Sequence, residues 1–287
     1  MINRKLKIAL QKSGRLSADS MNLLKKCGIR FSNGLGQLRA ETENFPLEIY
    51  FLRDDDIPEY VADGVADIGI VGANVIAENA KNVRLLESLN FGKCRLSLAV
   101  PKNFDYRSLA DFAGKRSATS YPNVLRKFLA RHGLTAEIHE ISGSVEIAPS
   151  IGLADAVCDL VSSGSTLFSN GLREVETVMN SEAVLVARPA LDADLQAILD
   201  KFLFRLKAVQ AARQNKYILL NAPNEKLEKI VEILPGIKSP TVMPLAEENW
   251  ISVHSVINEN DFWEIVEKLK IAGAQGILVL SIDQMIG

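Results

Sequence analysis

The sequence predicts an α/β protein with two α/β lobes followed by a βαββαβ tail, and three observations carry that prediction. Short apolar runs alternate with helical periodicity from the N-terminus to about residue 210. One of them, AVCDLV at 156–161, is nearly continuously apolar, as in a strand buried on both faces of a parallel sheet, and it runs into the hydroxyl- and glycine-bearing loop SSGSTL. In the tail, two helical segments repeat one apolar register, Leu227/Ile230/Val231/Leu234 and Phe262/Ile265/Val266/Leu269, which suits helices covering one face of a small antiparallel sheet.

Residues 5–10 read as the first strand, QKSGRLS as a glycine turn, and 17–27 as a helix with Met21, Leu23 and Leu24 as its apolar residues and Gly28 as its stop. A second strand follows at 47–52, and after Asp54-Asp55-Asp56 the segment 57–64 suits a helix with Pro58 in its first turn. VADIGIVG is then a buried strand between glycines. CRLSLAVP, a strand ended by proline, opens the second lobe, which continues through GKRSATSYP, a helix over 124–132 and the apolar strand at 156–161. AVLVAR at 183–188 reads as a strand returning to the first lobe, so the chain crosses between lobes twice. A long helix over 192–215 follows, with Leu195, Ile198, Leu199, Phe202, Leu206 and Val209 on one face. From Lys216 the pattern is strand YILLN, helix from Asn224, strand over 241–245, strand ISVHSVI, helix from Asn260 and strand GILVLSI, a ferredoxin-like arrangement.

Bulk properties exclude several classes. A chain of 287 residues suggests two or three domains. A net charge of −2 gives no general attraction to nucleic acid, so any polyanion must be held by a local basic cluster. Cys27, Cys94 and Cys158 are odd in number and lack a CxxC pair, which argues against a disulfide framework and fits a reducing compartment. His132, His139 and His254 are scattered as surface or loop residues and suggest no histidine metal site. The basic N-terminus has only Ile8-Ala9-Leu10 as an apolar run, too short for a signal peptide, and no segment approaches the ~20 apolar residues of a membrane span. The expectation is a cytoplasmic protein with neither nucleic acid nor membrane as partner.

Chemistry concentrates where predicted strands end. Ser162, Ser163, Gly164, Ser165, Thr166 and Leu167 combine hydroxyl donors with one glycine whose missing Cβ lets backbone N–H groups close on an anion, and a helix opening near Leu167 would add positive partial charge. The alternative is a polar turn. Gln11, Lys12, Gly14 and Arg15 lie at the carboxyl end of the first strand, where ligands bind open α/β sheets; two cations on a glycine turn suit triphosphate or pyrophosphate oxygens, or form a basic surface turn. The acidic run Asp54-Asp55-Asp56 reads either as helix N-terminal carboxylates or as Mg²⁺ contacts. Gly64, Asp67, Gly69 and Gly72 allow close backbone approach to a ligand or tight packing; the segment is similar to strands of periplasmic-binding-protein folds. Tyr121, among the hydroxyls of ATSYP, suits stacking on a base or a Tyr-Pro turn.

The spacing Glu146, Gly152-x-Ala154, Val157-x-Asp159-Leu160, Ser163-Gly164-x-Thr166-Leu167 resembles the signature of the ATP phosphoribosyltransferase family; KSGRL, RDDDIP and ATSYP are similar to segments of the same family. The resemblance spans the chain and matches the long, self-regulated form. It implies two periplasmic-binding-protein-like catalytic domains, 1–95 plus about 183–212 and 96–182, and a histidine-binding regulatory domain over 213–287. It further implies condensation of ATP with 5-phosphoribosyl-1-pyrophosphate, giving N1-phosphoribosyl-ATP and pyrophosphate with feedback inhibition by histidine, in a dimer or hexamer. In this chemistry adenine N1 is the nucleophile and Mg²⁺ and cations can neutralise the leaving pyrophosphate, so orientation and electrostatics replace a catalytic triad. The loop 162–167 would hold the 5-phosphate, Gln11, Lys12, Gly14, Arg15 and Tyr121 the ATP, and Thr241 and Leu245 the regulatory histidine. Glu146, Asp155 and Asp159 are candidates for ribose, Mg²⁺ or the developing charge, with a structural tie as the alternative for a strand aspartate; the metal ligands themselves are left open. Two other readings are a two-domain small-molecule sensor without turnover, and a different phosphoribosyltransferase, whose usual acidic-pair loop is not found.

Overall fold

The computed structural model describes residues 4–32, 37–234, 236 and 239–287; the first three residues of the basic N-terminal stretch lie outside it. The chain separates into two compact units, one of Met1–Asn22 with Ile29–Ile198 and one of Leu23–Gly28 with Leu199–Gly287.

The first unit begins with β1 (Leu6–Gln11), the first part of α1 (Ser17–Lys26, which from Leu23 belongs to the second unit), β2 (Arg39–Glu41), β3 (Leu47–Leu52), α2 (Ile57–Ala62), β4 (Ile68–Gly72), α3 (Ala73–Asn79) and β5 (Arg84–Ser88). It continues with β6 (Cys94–Pro101), β7 (Arg116–Thr119), α4 (Pro122–Arg131), β8 (Glu137–Glu140), β9 (Ala156–Val161), α5 (Ser165–Ser169), β10 (Leu172–Ser181) and β11 (Ala183–Ala187). Two sheets result, of order β2-β3-β1-β4-β11-β5 and β10-β6-β9-β7-β8. Each has the same plan, which is that of periplasmic-binding-protein lobes. Three parallel strands in the order second, first, third (β3-β1-β4 and β8-β7-β9) are flanked by an antiparallel strand, β11 or β6, adjoining a segment that passes between the sheets.

The central strands are buried on both faces along their apolar runs: Leu6, Ile8, Ala9 and Leu10 of β1, and Ala156, Val157 and Cys158 of β9, are essentially inaccessible. The sheets are nevertheless mixed rather than parallel; β9 pairs in parallel with β7 but antiparallel with β6. Strands β2, β5, β8 and β10 are unannounced by apolar runs because they lie at sheet edges and keep polar, partly exposed faces. Predicted bounds otherwise shift by a residue or two, and α4 starts at Pro122, whose fixed φ suits a first helical turn.

The carboxyl ends of β1, β3, β7 and β9 all carry the loops singled out above, as expected for ligand sites in open α/β sheets.

The predicted long helix is α6 (Ala193–Arg213), and Leu195, Ile198, Leu199, Phe202, Leu206 and Val209 are all buried. The second unit then contains β12 (Asn215–Pro223), α7 (Leu227–Ile233), β13 (Thr241–Pro244), β14 (Trp250–Asn258), α8 (Phe262–Ile271) and β15 (Gln275–Ser281), with antiparallel order β13-β14-β12-β15, the ferredoxin-like arrangement. Ile218, Leu220 and Val253 of the sheet pack with Ile230, Ile265 and Leu269 of the helices and with Leu234, which caps α7. Val231 departs from the expected register: it is exposed, one position round the short helix from Ile230.

Candidate active site

The β9–α5 turn is built around Gly164, whose φ of +81° is a left-handed conformation that costs a glycine little. A Cβ there would meet only Val161 Cγ1 at 3.9 Å, so the requirement is for the backbone angle rather than for space. Ser163 Oγ lies 3.0 Å from Ser165 Oγ and accepts the Ser165 N–H at 3.4 Å, while buried Leu167 anchors the turn in the lobe's core. Ser162, Ser163, Ser165 and Thr166 are exposed, and the first N–H groups of α5 have no intrahelical acceptor. Arg95, paired with Glu174, reaches the Ser162 carbonyl at 3.4 Å and braces the strand end.

The turn after β1 has a different internal order from the one its sequence suggests. Gln11 folds beneath it: its Oε1 accepts the Leu16 N–H at 2.9 Å, and a Cβ on Gly14, where φ is +102°, would meet Gln11 Nε2 at 2.9 Å. Gln11 thus shapes the turn, whereas Lys12 and Arg15 are exposed and, among the described residues, have no ion-pair partner.

These loops converge. Burial raises the Asp159 carboxyl above its ordinary range; its bond from the Leu160 N–H at 2.7 Å works against this, Glu146 adds to the rise, and Arg15 opposes it. Residues from both sheets therefore act on one carboxylate. Tyr121 is likewise raised, first by burial, and then by the charges of Asp55, Asp159 and Asp54, while its bond with Asn74 opposes. Its ring packs against the second lobe's core and its hydroxyl accepts from Asn74 Nδ2 at 3.0 Å. Asp54, in the short 3₁₀ turn Asp54–Asp56, is pushed up to about 6 by burial, with Asp55 adding to it. One of its carboxylate oxygens is buried with no partner among the described residues. Asp56, at the N-cap of α2, makes no side-chain cap bond.

Asp155 is placed elsewhere. It immediately precedes β9, at the end opposite the serine loop, in a forked pair with Arg116 at 2.8 and 3.3 Å; its Oδ2 also accepts the Arg116 backbone N–H at 3.0 Å. Those bonds hold its carboxyl below the usual range and tie β9 to β7. In the second unit Thr241 is exposed on edge strand β13 opposite His254, and Leu245, half-buried, donates its N–H to the Trp250 carbonyl at 2.9 Å. His139 and His254 sit on strands rather than loops; the latter bonds Tyr217 and Ser252 at 2.8 and 3.0 Å.

Three residues at the lobe junction escape a motif reading. Glu78 accepts the backbone N–H groups of Asn123 and Val124, both at 2.9 Å, capping α4 from α3, and Asn74 joins Tyr121 to Ser181. The available signal was the four-residue spacing of Asn74 and Glu78, which puts both on one face of α3.

Two α/β lobes, a glycine-hydroxyl turn with exposed donors, two exposed cations without an ion-pair partner among the described residues and a ferredoxin-like second unit suit a transferase or binding protein for phosphorylated ligands. The sequence model of the family described as "ATP phosphoribosyltransferase" matches residues 53–208, and that described as "HisG, C-terminal domain" matches 212–284. An ATP phosphoribosyltransferase of Cytophaga hutchinsonii is 58% identical over 98% of each chain, and one of Parabacteroides distasonis is 56% identical over 98% of this chain and 99% of its own. Among solved structures, an ATP phosphoribosyl transferase (HisG:HisZ) complex of Thermotoga maritima superposes with a TM-score of 0.60 at 29% identity, covering 70% of this chain and 98% of that one. The chain belongs to the ATP phosphoribosyltransferase family. It is an enzyme of the first step of histidine biosynthesis, with the C-terminal domain as its regulatory part.

Proposed function

We propose that the cleft between the two sheets joins ATP to 5-phosphoribosyl-1-pyrophosphate. The observation that supports this most directly is the mutual action of Arg15, Glu146 and Asp159, drawn from two sheets, beside the Gly164 turn. In this reading Ser163, Gly164, Ser165, Thr166 and the α5 amides hold the 5-phosphate, and Lys12 and Arg15 hold phosphate oxygens of ATP or of the leaving pyrophosphate. Adenine N1 forms a bond to the ribose C1′ as the C1′–oxygen bond breaks and its electron pair leaves with pyrophosphate. Glu146 and Asp159 face the positive charge that develops at the ribose. Asp155, committed to Arg116, is left out of this set.

Divalent-metal binding fits the residues present. Asp54 and Asp159 offer hard oxygen donors, one of them a buried oxygen without a partner, and no cluster of three or more ligating side chains exists among the described residues. That composition suits Mg²⁺, held by one or two carboxylates and completed by substrate phosphates. When bound, the ion neutralises charge on the pyrophosphate.

The proposed division is 1–95 with about 183–212, 96–182 and 213–287, the last binding histidine near Thr241 and Leu245. The assembly is a homo-oligomer, a dimer or hexamer, in the cytoplasm; no helix among the described residues is long and apolar enough to cross a membrane. Supplying both substrates should release pyrophosphate, whereas a sensor would bind without turnover. Arg15→Ala should raise the KM for ATP about tenfold or more while sparing that for phosphoribosyl pyrophosphate, and Arg15→Lys should recover part of it, because the planar two-oxygen contact is lost. An unchanged ATP KM and kcat in the alanine variant would return the turn to a structural role.

A further inference from the structure

Gly72 ends β4, and Asn74 explains why a glycine stands there: a Cβ at 72 would meet Asn74 Oδ1 at 2.3 Å. Asn74 is 4% exposed and bonded on three sides. Its backbone N–H donates to Ser181 Oγ at 3.0 Å, the Ser181 hydroxyl donates to Asn74 Oδ1 at 2.7 Å, and Asn74 Nδ2 donates to the Tyr121 hydroxyl at 3.0 Å. The direction of these bonds follows from a count of protons. A flipped amide would set two Asn74 donors on Ser181 and leave the buried serine proton without an acceptor, at the cost of an unsatisfied group. The amide nitrogen therefore faces Tyr121, and Tyr121 must accept. Its own proton remains, and no side chain or backbone group among the described residues takes it.

We propose that Asn74, locked by Ser181, makes Tyr121 a one-way hydrogen-bond donor to a ring nitrogen of the ATP purine, so that Asn74 is a positioning residue for the reaction. Tyr121 offers its hydroxyl rather than its ring face, since the ring packs against the core of the second lobe. Burial, and then the charges of Asp55, Asp159 and Asp54, favour the protonated form of that hydroxyl, so it is kept as a donor and suits a neutral acceptor. A purine offers such acceptors at N3 and N7, while N1 is reserved for bond formation. The proposal rests on the reading of the cleft as an ATP site.

The test starts with wild-type turnover of ATP and phosphoribosyl pyrophosphate, whose failure would reject the cleft reading itself. With turnover in hand, Tyr121→Phe removes the donor, and Asn74→Asp reverses the relay, because a carboxylate accepts from both Ser181 and Tyr121 and draws the phenol proton away from the cleft. Each should lower kcat/KM for ATP about tenfold, the scale of one neutral hydrogen bond. The double variant should be no worse than either single one, and the KM for phosphoribosyl pyrophosphate should stay put. If Asn74→Asp does not fold, Ser181→Ala takes its place in the same cycle with the same expectation. Calorimetric binding of 3-deaza-ATP and 7-deaza-ATP identifies the atom: Tyr121→Phe should weaken ATP and one analogue, and leave the other unaffected. Independent, additive losses, or a phenylalanine penalty that persists with both analogues, would overturn the proposal.

Discussion

Asp54 shows how a single buried oxygen makes a pH-dependent prediction. Its folded-state pKa of about 6 lies above the ordinary carboxylate value because burial disfavours the anion and Asp55 repels it. A carboxyl raised in this way contributes stability that is fully present below its unfolded pKa of about 3.9 and is lost as pH rises through about 6. The shift caps the effect at roughly 3 kcal/mol, and partial exposure brings the expectation nearer ~1–2 kcal/mol. Asp54→Asn should therefore raise the thermal midpoint relative to wild type at pH 8, and do so much less at pH 4, in scans without substrate or divalent ion. An equal difference at both pH values would remove buried charge as the cause. At this scale the sequence exposes the exceptional residues unevenly: the position of Gly164 is legible from its hydroxyl neighbours, whereas the unpartnered oxygen of Asp54 and the Asn74 relay depend on what folds over them.

The β9–α5 unit joins a strand buried on both faces to a helix of five residues, so its turn has one fixed end and one short one. Valine at 164 would have to hold φ near +81°, a conformation that costs a non-glycine residue about 1–2 kcal/mol and a β-branched one at the upper end. The space around the missing Cβ is open, so Gly164→Val should keep the fold and fall only a few degrees in thermal midpoint. Turnover should fall by about 10²-fold or more, because donors aimed at the phosphate shift together. A variant with wild-type kinetics would mean that the turn does not bind substrate. Elements that bury continuous apolar runs, β1, β4, β6, β9 and β11, were legible because both their faces are in the core. Edge strands β5, β8 and β10 were not, since pairing on one side and water on the other impose no such pattern. The mixed character of the sheets was hidden for a related reason: an apolar run specifies burial, and the direction of β6 and β11 is set by how the chain passes between sheets.

At the scale of the whole molecule, activity and its regulation are assigned to separate units, and thermodynamic linkage connects them without any assumption about the route. If histidine bound in the second unit weakens substrate binding, bound substrate must weaken histidine binding by the same factor, typically ~1–3 kcal/mol for couplings of this kind. Thr241 is a suitable probe. It is exposed on edge strand β13, so replacing its hydroxyl by a methyl removes no core contact and leaves the Ile218/Leu269 cluster intact. Its hydroxyl can both donate and accept, as the ammonium and carboxylate of an amino acid require. Thr241→Val should raise the dissociation constant for histidine about three- to tenfold, the loss of one hydrogen bond, with uninhibited turnover unchanged. Calorimetric titration of histidine into wild type and variant, each with and without ATP, separates the two statements. Unchanged histidine affinity in the variant would take Thr241 out of the site. Histidine competing with ATP in a manner abolished by Arg15→Ala would instead place the inhibitor in the cleft between the sheets, and the division of labour between the units would fail.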